Sequence, residues 1–256
     1  MQPLTLIPLS NIPLIRPGDN LADIILTSLQ TAGIALENGD ILVLAQKIVS
    51  KAENRFVNLA TVTPSPIARK LAQKSGKDPR VAELILRESN EILRTRMGSV
   101  IVEHKLGFVC ANAGIDHSNV AGNSSKTEEW VLLLPENPDQ SAAEVRKKLE
   151  AASGKQIGVM IIDSHGRAWR IGTVGVTIGI SGLPALIDER GWKDLFGYTL
   201  QITVVGAADE LAAAASLAMG QAAEGTPVVH VHGFPYPLRD GTLKEMLRPK
   251  DQDLFR

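Results

Sequence analysis

Between Ile157 and Gly182 the chain runs from an apolar stretch, Ile157-Gly-Val-Met-Ile-Ile162, through Asp163-Ser164 and into a segment punctuated by Gly166, Gly172, Gly175, Gly179 and Gly182. The apolar stretch shows no alternation with polar residues, which predicts a buried strand ending at Asp163. Repeated glycine then removes side-chain volume where neighbouring elements approach closely or where a strand bulges. This part of the chain therefore reads as a buried strand followed by a glycine-rich segment suited to close packing or bulges.

The remaining elements are mixed in kind. Leu4–Leu9, broken by Pro3, Pro8 and Pro13, predicts an edge strand running into a loop. Asp19 or Asn20 caps a helix through Leu21, Ile24, Ile25 and Leu29 that Gly33 closes. Asp40–Ala45 predicts a short strand that ends in a polar loop at Gln46-Lys47, ahead of Ile48 to Lys51. Thr63 to Arg96 is read as helical, with breaks at Gly76 and a restart at Asp78-Pro79. A strand pair, Ser99–His104 and Phe108–Asn112, follows. Ala121–Glu129 is expected to be a mobile polar loop, and apolar Trp130–Leu134 comes after it. Ser141 caps a helix to Ser153, closed by Gly154. Thr199–Val205 and Thr226–His232 predict strands, Ala207–Met219 an Ala-rich helix, and Leu243–Leu247 a terminal helix. There is no regular β-α-β repetition, so the expected class is α+β, in one domain over residues 1–256.

Charge excludes several function classes. Lys plus Arg is 27 and Asp plus Glu is 28, a net charge of -1, which gives no reason to expect a nucleic-acid or membrane partner. The longest apolar runs, such as Leu211–Met219, fall well short of the roughly 20 residues of a membrane span. The first residues lack the charged and apolar pattern of a signal peptide. Cys110, the single cysteine, fits a reducing cytosol and reads as a buried inert thiol. The expected location is the cytoplasm.

Three segments carry chemistry. In Ala111 to Asn119, a small-residue turn presents Asp116, Ser118 and Asn119; Asp116 suits a hard divalent ion and Asn119 a nucleotide, and the plainer alternative is an Asx-turn. At Asp163-Ser164 a carboxylate and a hydroxyl stand side by side at a strand end, with Arg167, Arg170 and Lys155 adding positive charge; the alternative is a solvated turn. From Met219 to Thr226 a small-residue loop lets backbone approach phosphate, or simply caps the preceding helix. Walker A and GxGxxG motifs are absent. His230 and His232 share a strand face and read as a structural pair rather than a metal chelate.

Taken in order, IPLI at Ile12–Ile15, VSKAENR at Val49–Arg55, NAGIDHSNV at Asn112–Val120, IIDSHGRAWRIGTVGVTIGISG at Ile161–Gly182, DLFG at Asp194–Gly197 and ADELAAAASLAMGQAAEGTP at Ala208–Pro227 closely resemble the coenzyme F420-0:L-glutamate ligase family. The resemblance runs from about Ile7 to about Glu245. It implies an unusual α+β fold in an intertwined homodimer. It also implies an amide ligase that activates the phospholactyl carboxylate of coenzyme F420-0 with GTP, as an acyl phosphate, for attack by L-glutamate, with later glutamates joined through γ-linkages. Mn²⁺ or Mg²⁺, two ions in all, and K⁺ are implied cofactors. Some relatives carry a fused C-terminal flavin-dependent domain, for which this chain is too short.

Carried onto this sequence, the resemblance places Ile12, Pro13, Leu14, Ile15, Gln46 and Lys47 along the GTP site and Lys51 on its phosphates. Asp116 and Asp163 bind the first metal, with Lys51 completing the catalytic set, and Asn119 touches the nucleotide. Ser164 and Gln221 fall at the second metal. Met219, Gly220, Gln221, Ala222, Ala223, Glu224, Gly225 and Thr226 form a nucleotide loop. Apart from the resemblance, the polar Ala121–Glu129 segment reads first as a plain surface loop, with a cover over the site as the alternative. Three positions depart from the pattern: Gln46-Lys47 stands where short hydroxyl residues occur, His165 where a small or amide residue is commoner, and neutral Gln221 where an anionic ligand is expected. The alternatives are a ligase for another carboxylate, a non-catalytic deazaflavin-coenzyme binding protein, and a metal-dependent phosphohydrolase.

Overall fold

In the computed structural model, which describes residues 3–120 and 129–254, the strand expected at Ile157–Ile162 lies inside a five-stranded sheet covered on both faces. The first half of the chain forms β1 (Thr5–Pro8), α1 (Leu21–Thr31), β2 (Ile41–Ala45), α2 (Gln46–Ala52), β3 (Phe56–Asn58), α3 (Pro66–Ser75), α4 (Pro79–Arg87), β4 (Ser89–Arg96), β5 (Ser99–His104) and β6 (Val109–Ala111). The second half forms β7 (Trp130–Leu132), α5 (Pro138–Ser153), β8 (Gly158–Arg167), β9 (Arg170–Ser181), β10 (Ile187–Asp188), β11 (Val204–Val205), α6 (Ala207–Met219), β12 (Val228–His232) and α7 (Leu243–Met246). The fold is α+β.

The main sheet has the order β1-β12-β2-β8-β9, with β2 and β8 parallel and the other pairs antiparallel. Alternation along β2 divides its side chains: Leu42 and Leu44 pack with α1 and α5, Ile41 and Val43 with α6. A second core forms where α3 and α4 pack against β4-β5-β6 and the β3-β7 ribbon.

The glycines of β9 serve the close packing expected of them. A Cβ at Gly175 would lie 2.4 Å from the Ala212 carbonyl of α6, and one at Gly179 would lie 2.5 Å from backbone of Pro138 in α5. Four positions apart, the two would face the same way in a regular strand. A register shift in β9 at Ile178 turns them to opposite faces. Asp209 Oδ1 accepts from Thr177 N at 2.9 Å and Asp139 Oδ1 from Ile180 N at 2.8 Å, so first-turn carboxylates of both helices tie the bulged strand.

Several expected boundaries are corrected. Gln46–Ala52 is helix rather than polar loop: Ile48 and Val49 are buried, and Ser50 Oγ donates to Gln46 Oε1 at 2.9 Å across one turn. The helical reading of Thr63–Arg96 fails over Ser89–Arg96, which pairs with β5 across the tight turn at Met97-Gly98; no glycine or proline falls within Ser89–Arg96 to break a helix. The helix expected from Ser141 starts at Pro138, with Asn137 accepting from Gln140 N. β8 does not stop at Asp163 but continues to Arg167 along β9. Of Thr199–Val205 only Val204–Val205 is strand. The α6 boundaries, Ala207–Met219, are those expected.

Both histidines of β12 are structural. His230 Nε2 and His232 Nδ1 each lie 2.8 Å from an oxygen of buried Asp40, at the end of β2 remote from Gln46. Cys110 is buried, and burial pushes its thiol up to about 12, so it is inert as expected. No helix among the described residues is long and apolar enough to cross a membrane.

Candidate functional site

The parallel pairing of β2 with β8 sets Ala45 beside Ile162. The first turn of α2 therefore starts next to Asp163. Gln46 and Ser50, and likewise Lys47 and Lys51, are four residues apart and rise on common sides of that helix. Asp116 arrives from the second core. Its backbone N–H and carbonyl both pair with Leu132 at 2.9 Å, an isolated bridge beside β7. Asn112, Ala113 and Gly114 precede it with φ of 55°, 53° and 64°, a left-handed turn that reverses the chain after β6. A Cβ at Gly114 would meet the Leu134 side chain at 2.6 Å, so the turn is held tightly.

A cavity of about 540 Å³ opens at this junction. Ile12 to Ile15, Gln46, Lys47, Lys51, Asn119, Asp163, Ser164 and the whole of Met219 to Thr226 line it. That volume falls in the range of small-molecule sites, about 300–1,000 Å³. Asp116 stands one layer back, reached through Gln46 and Lys47. Gln46 Nε2 donates to Asp116 Oδ2 at 2.5 Å and Lys47 Nζ lies 3.0 Å from Oδ1. Arg167, Arg170 and Lys155, expected to add charge, do not line the cavity. The arginines sit at the exposed β8-β9 turn, and Lys155 precedes β8 at its other end. Residues 121–128 of the polar loop expected at Ala121–Glu129 lie outside the described residues.

Since β8 continues past Asp163, the carboxylate and hydroxyl are not side by side as expected. Asp163 lies on the face of Ile161, and Ser164 on that of Ile162, toward α6. Ser164 Oγ donates to Gln221 Oε1 at 2.8 Å, and Gln221 Nε2 donates to Ser216 Oγ at 2.9 Å. Ser216 escapes a motif search; its one signal is a hydroxyl in an Ala-rich helix. Asn119 Nδ2 donates to Ala222 O at 3.1 Å, joining the Asp116 turn to the loop after α6. In that loop Glu224 accepts from Ala222 N at 2.8 Å.

The two aspartates differ electrostatically. Burial raises Asp116, reinforced by the negative charge of Asp163 and opposed by Lys47 and Gln46. Burial also pushes Asp163 upward, but the hydrogen bond and charge of His165, with Ser164 N, outweigh it and hold the carboxyl below its usual value. Lys51 is lowered by burial and by neighbouring Lys47, against the pull of Asp116.

This donor set suits a hard divalent cation. The two carboxylates are partly buried and repel each other, and the hydroxyl and amide oxygen of Ser164 and Gln221 are nearby. No cluster of three or more His, Cys, Asp or Glu side chains is poised for a metal among the described residues. An ion held here would complete its shell with water and phosphate oxygens, as Mg²⁺ commonly does.

The model of the family F420-0:gamma-glutamyl ligase matches residues 10–233. A protein named coenzyme F420:L-glutamate ligase from Methanothermobacter thermautotrophicus is 45% identical over 255 residues, covering 99% of both chains. Proteins of the same name from Methanopyrus kandleri and Methanococcus maripaludis are 46% and 48% identical, the first over 94% of this chain and 93% of its own, the second over 86% of each. With a cavity, two carboxylates and two lysines assembled from segments inside that match, the chain belongs to the F420-0:gamma-glutamyl ligase family.

Proposed function

We propose that the chain joins L-glutamate to the phospholactyl carboxylate of coenzyme F420-0 at the expense of GTP, and adds further glutamates through γ-linkages. The observation that carries this reading is a cavity of about 540 Å³ lined by Asp163, Lys47 and Lys51, with Asp116 joined to it through Lys47, in a chain whose relatives bear that ligase name.

The chemistry must overcome anion meeting anion. One oxygen of the acceptor carboxylate bonds to the γ-phosphorus as the bond to the GDP oxygen breaks, giving an acyl phosphate. The glutamate nitrogen then bonds to the acyl carbon, phosphate leaves and the ammonium proton is lost. Asp116 and Asp163 would hold a divalent ion, Mg²⁺ or Mn²⁺, with a second at Ser164 and Gln221 and K⁺ in support. Bound there, the ions would neutralise phosphate charge. Lys51 offsets charge on the β- and γ-phosphates as GDP departs. Asn119 and the loop Met219–Thr226 orient the nucleotide, and Ile12–Ile15 form its apolar wall. Exclusion of water protects the acyl phosphate until the amine attacks.

The proposed assembly is a homodimer. Support comes from apolar side chains left in solvent on the β10-β11 ribbon and the β8-β9 turn, among them Leu195, Phe196, Ile202, Trp169 and Ile171.

Incubation with GTP, Mn²⁺, L-glutamate and coenzyme F420-0, read by mass spectrometry, tests the function. Glutamylated coenzyme with matching GDP supports it. GDP formed equally without acceptor identifies a phosphohydrolase, and bound coenzyme without product identifies a binding protein. Asp163→Asn, still folded, is expected to lose activity by orders of magnitude; full activity removes Asp163 from the site.

A further inference from the structure

Each candidate metal-binding aspartate has one oxygen already held by a side-chain N–H donor. Asp163 Oδ2 lies 3.0 Å from His165 Nε2, and since an ionised carboxylate only accepts, that nitrogen carries the proton. Residues 163 and 165 share a face of β8, so the strand itself aims the ring at the carboxylate. The ring cannot swing freely. It packs on Phe108 at 5.2 Å between centroids, and Phe108 stacks at 5.3 Å and 7° on His104, whose Nδ1 accepts from Leu106 N at 3.0 Å. Asp116 shows the same arrangement: buried Gln46 holds Oδ2, and Ser50 fixes the orientation of that amide.

We propose that His165 is a positioning residue that reserves Asp163 Oδ2, so that Asp163, like Asp116 under Gln46, offers a cation a single oxygen and the site selects small octahedral ions over Ca²⁺. The proposal rests on the metal-dependent function argued above. Ca²⁺ takes about 6–8 oxygens and commonly uses both oxygens of a carboxylate, whereas Mg²⁺ requires octahedral geometry and keeps several waters. Two carboxylates giving one oxygen each leave Ca²⁺ short of ligands without penalising the smaller ion. A donor behind a ligating carboxylate also fixes its direction, and loss of such a donor weakens metal binding about 10–100-fold.

Mn²⁺ titration of the metal-free full-length chain, with free Mn²⁺ read by electron paramagnetic resonance and Ca²⁺ added as competitor, tests this without reference to turnover. His165→Phe keeps the ring against Phe108 and removes the donor; His165→Leu carries the same expectation should the first variant fold poorly. Mn²⁺ affinity is expected to fall about tenfold or more, and the preference for Mn²⁺ over Ca²⁺ to narrow. His165→Gln, which restores a donor, should recover much of both. Wild-type binding with unchanged affinity and preference in the folded Phe or Leu variant overturns the role of His165 alone. Absence of Mn²⁺ binding by the wild type overturns the metal-dependent function with it.

Discussion

The Lys47 ammonium stands 3.0 Å from Asp116 Oδ1, with about 29% of the lysine side chain and 23% of the aspartate side chain exposed. It also acts electrostatically on Asp163. One flexible cation therefore offsets the repulsion between two carboxylates drawn from different parts of the fold. A divalent ion bound by Asp116 Oδ1 would have to displace it, and the freed ammonium would stay on the cavity wall, where a bound phosphate could meet it.

Lys47→Met should therefore have opposite effects on two ligands. Without nucleotide, apparent Mn²⁺ affinity is expected to rise on the order of tenfold, a gain of about 1.4 kcal/mol, since no ammonium competes. The Michaelis constant for GTP should rise as well. Mn²⁺ titration with and without nucleotide checks both, and weaker metal binding in the folded variant would contradict the displacement.

Lys51 offers a cleaner separation, because it makes no ion pair with either aspartate and its charge is partly buried among like charge. Lys51→Met should raise the Michaelis constant for GTP, lower turnover, or both, while the melting temperature moves little. The constant for glutamate should change much less, since in the proposed chemistry the amine attacks only after the γ-phosphate has been transferred. Unchanged GTP kinetics would return Lys51 to an ordinary surface role.

Assembly can be tested on the ribbon. Leu195 and Phe196 are 98% and 95% exposed, an arrangement costly to leave in water. Light scattering is expected to give twice the 27.5 kDa chain mass, and Leu195→Asp with Phe196→Asp to shift it toward monomer. A stable, active 27.5 kDa wild-type monomer at low concentration would refute the dimer.

Asp40 sets a pH signature far from the cavity. Burial pushes its carboxyl upward, but the bonds from His230, Glu37 N and His232 prevail and hold it below 3.8. The stabilisation is thus fully present above the unfolded value, 3.8, and is lost as pH falls through the lower folded value. His232 runs the other way: Asp40 raises it, so its contribution is present below 6.5 and lost as pH rises through the folded value. Asp40→Asn should lower stability by about 2 kcal/mol near neutrality, and flatten both limbs of a plot of Tm against pH. A parallel downward shift with both limbs intact would place the titration elsewhere.

What could be read in advance follows from which signals are local. The α6 boundaries were legible because Gly206 and Gly220 bracket an Ala-rich run, and the buried core of β8 because its apolar stretch is continuous. Ser89–Arg96 was not, since its conformation depends on β5 across a turn and its own residues tolerate a helix. The same limit applies to the cavity. Individual candidates were visible as strand-end or turn residues, whereas the placement of Asp163 and Ser164 on opposite faces required knowing that β9 carries the strand onward. Ser216 and the hold of His165 on Asp163 have no motif at all, because each acts only through a side chain brought near by packing.

Asp116 hangs from the small ribbon through its bridge to Leu132, while Asp163 belongs to the main sheet 47 positions later in the chain. The two carboxylates are carried by different sheets. Any ion that binds both is thus a fastener across a seam, present only when the two halves have closed on each other. By mass action it withdraws the opened forms from the population, adding about 2.7 kcal/mol at a hundredfold excess over its dissociation constant. Hydrogen exchange at Asp116 and Leu132 should accordingly slow on adding Mn²⁺ more than exchange deep in either core, so that the seam itself reports whether the centre is loaded.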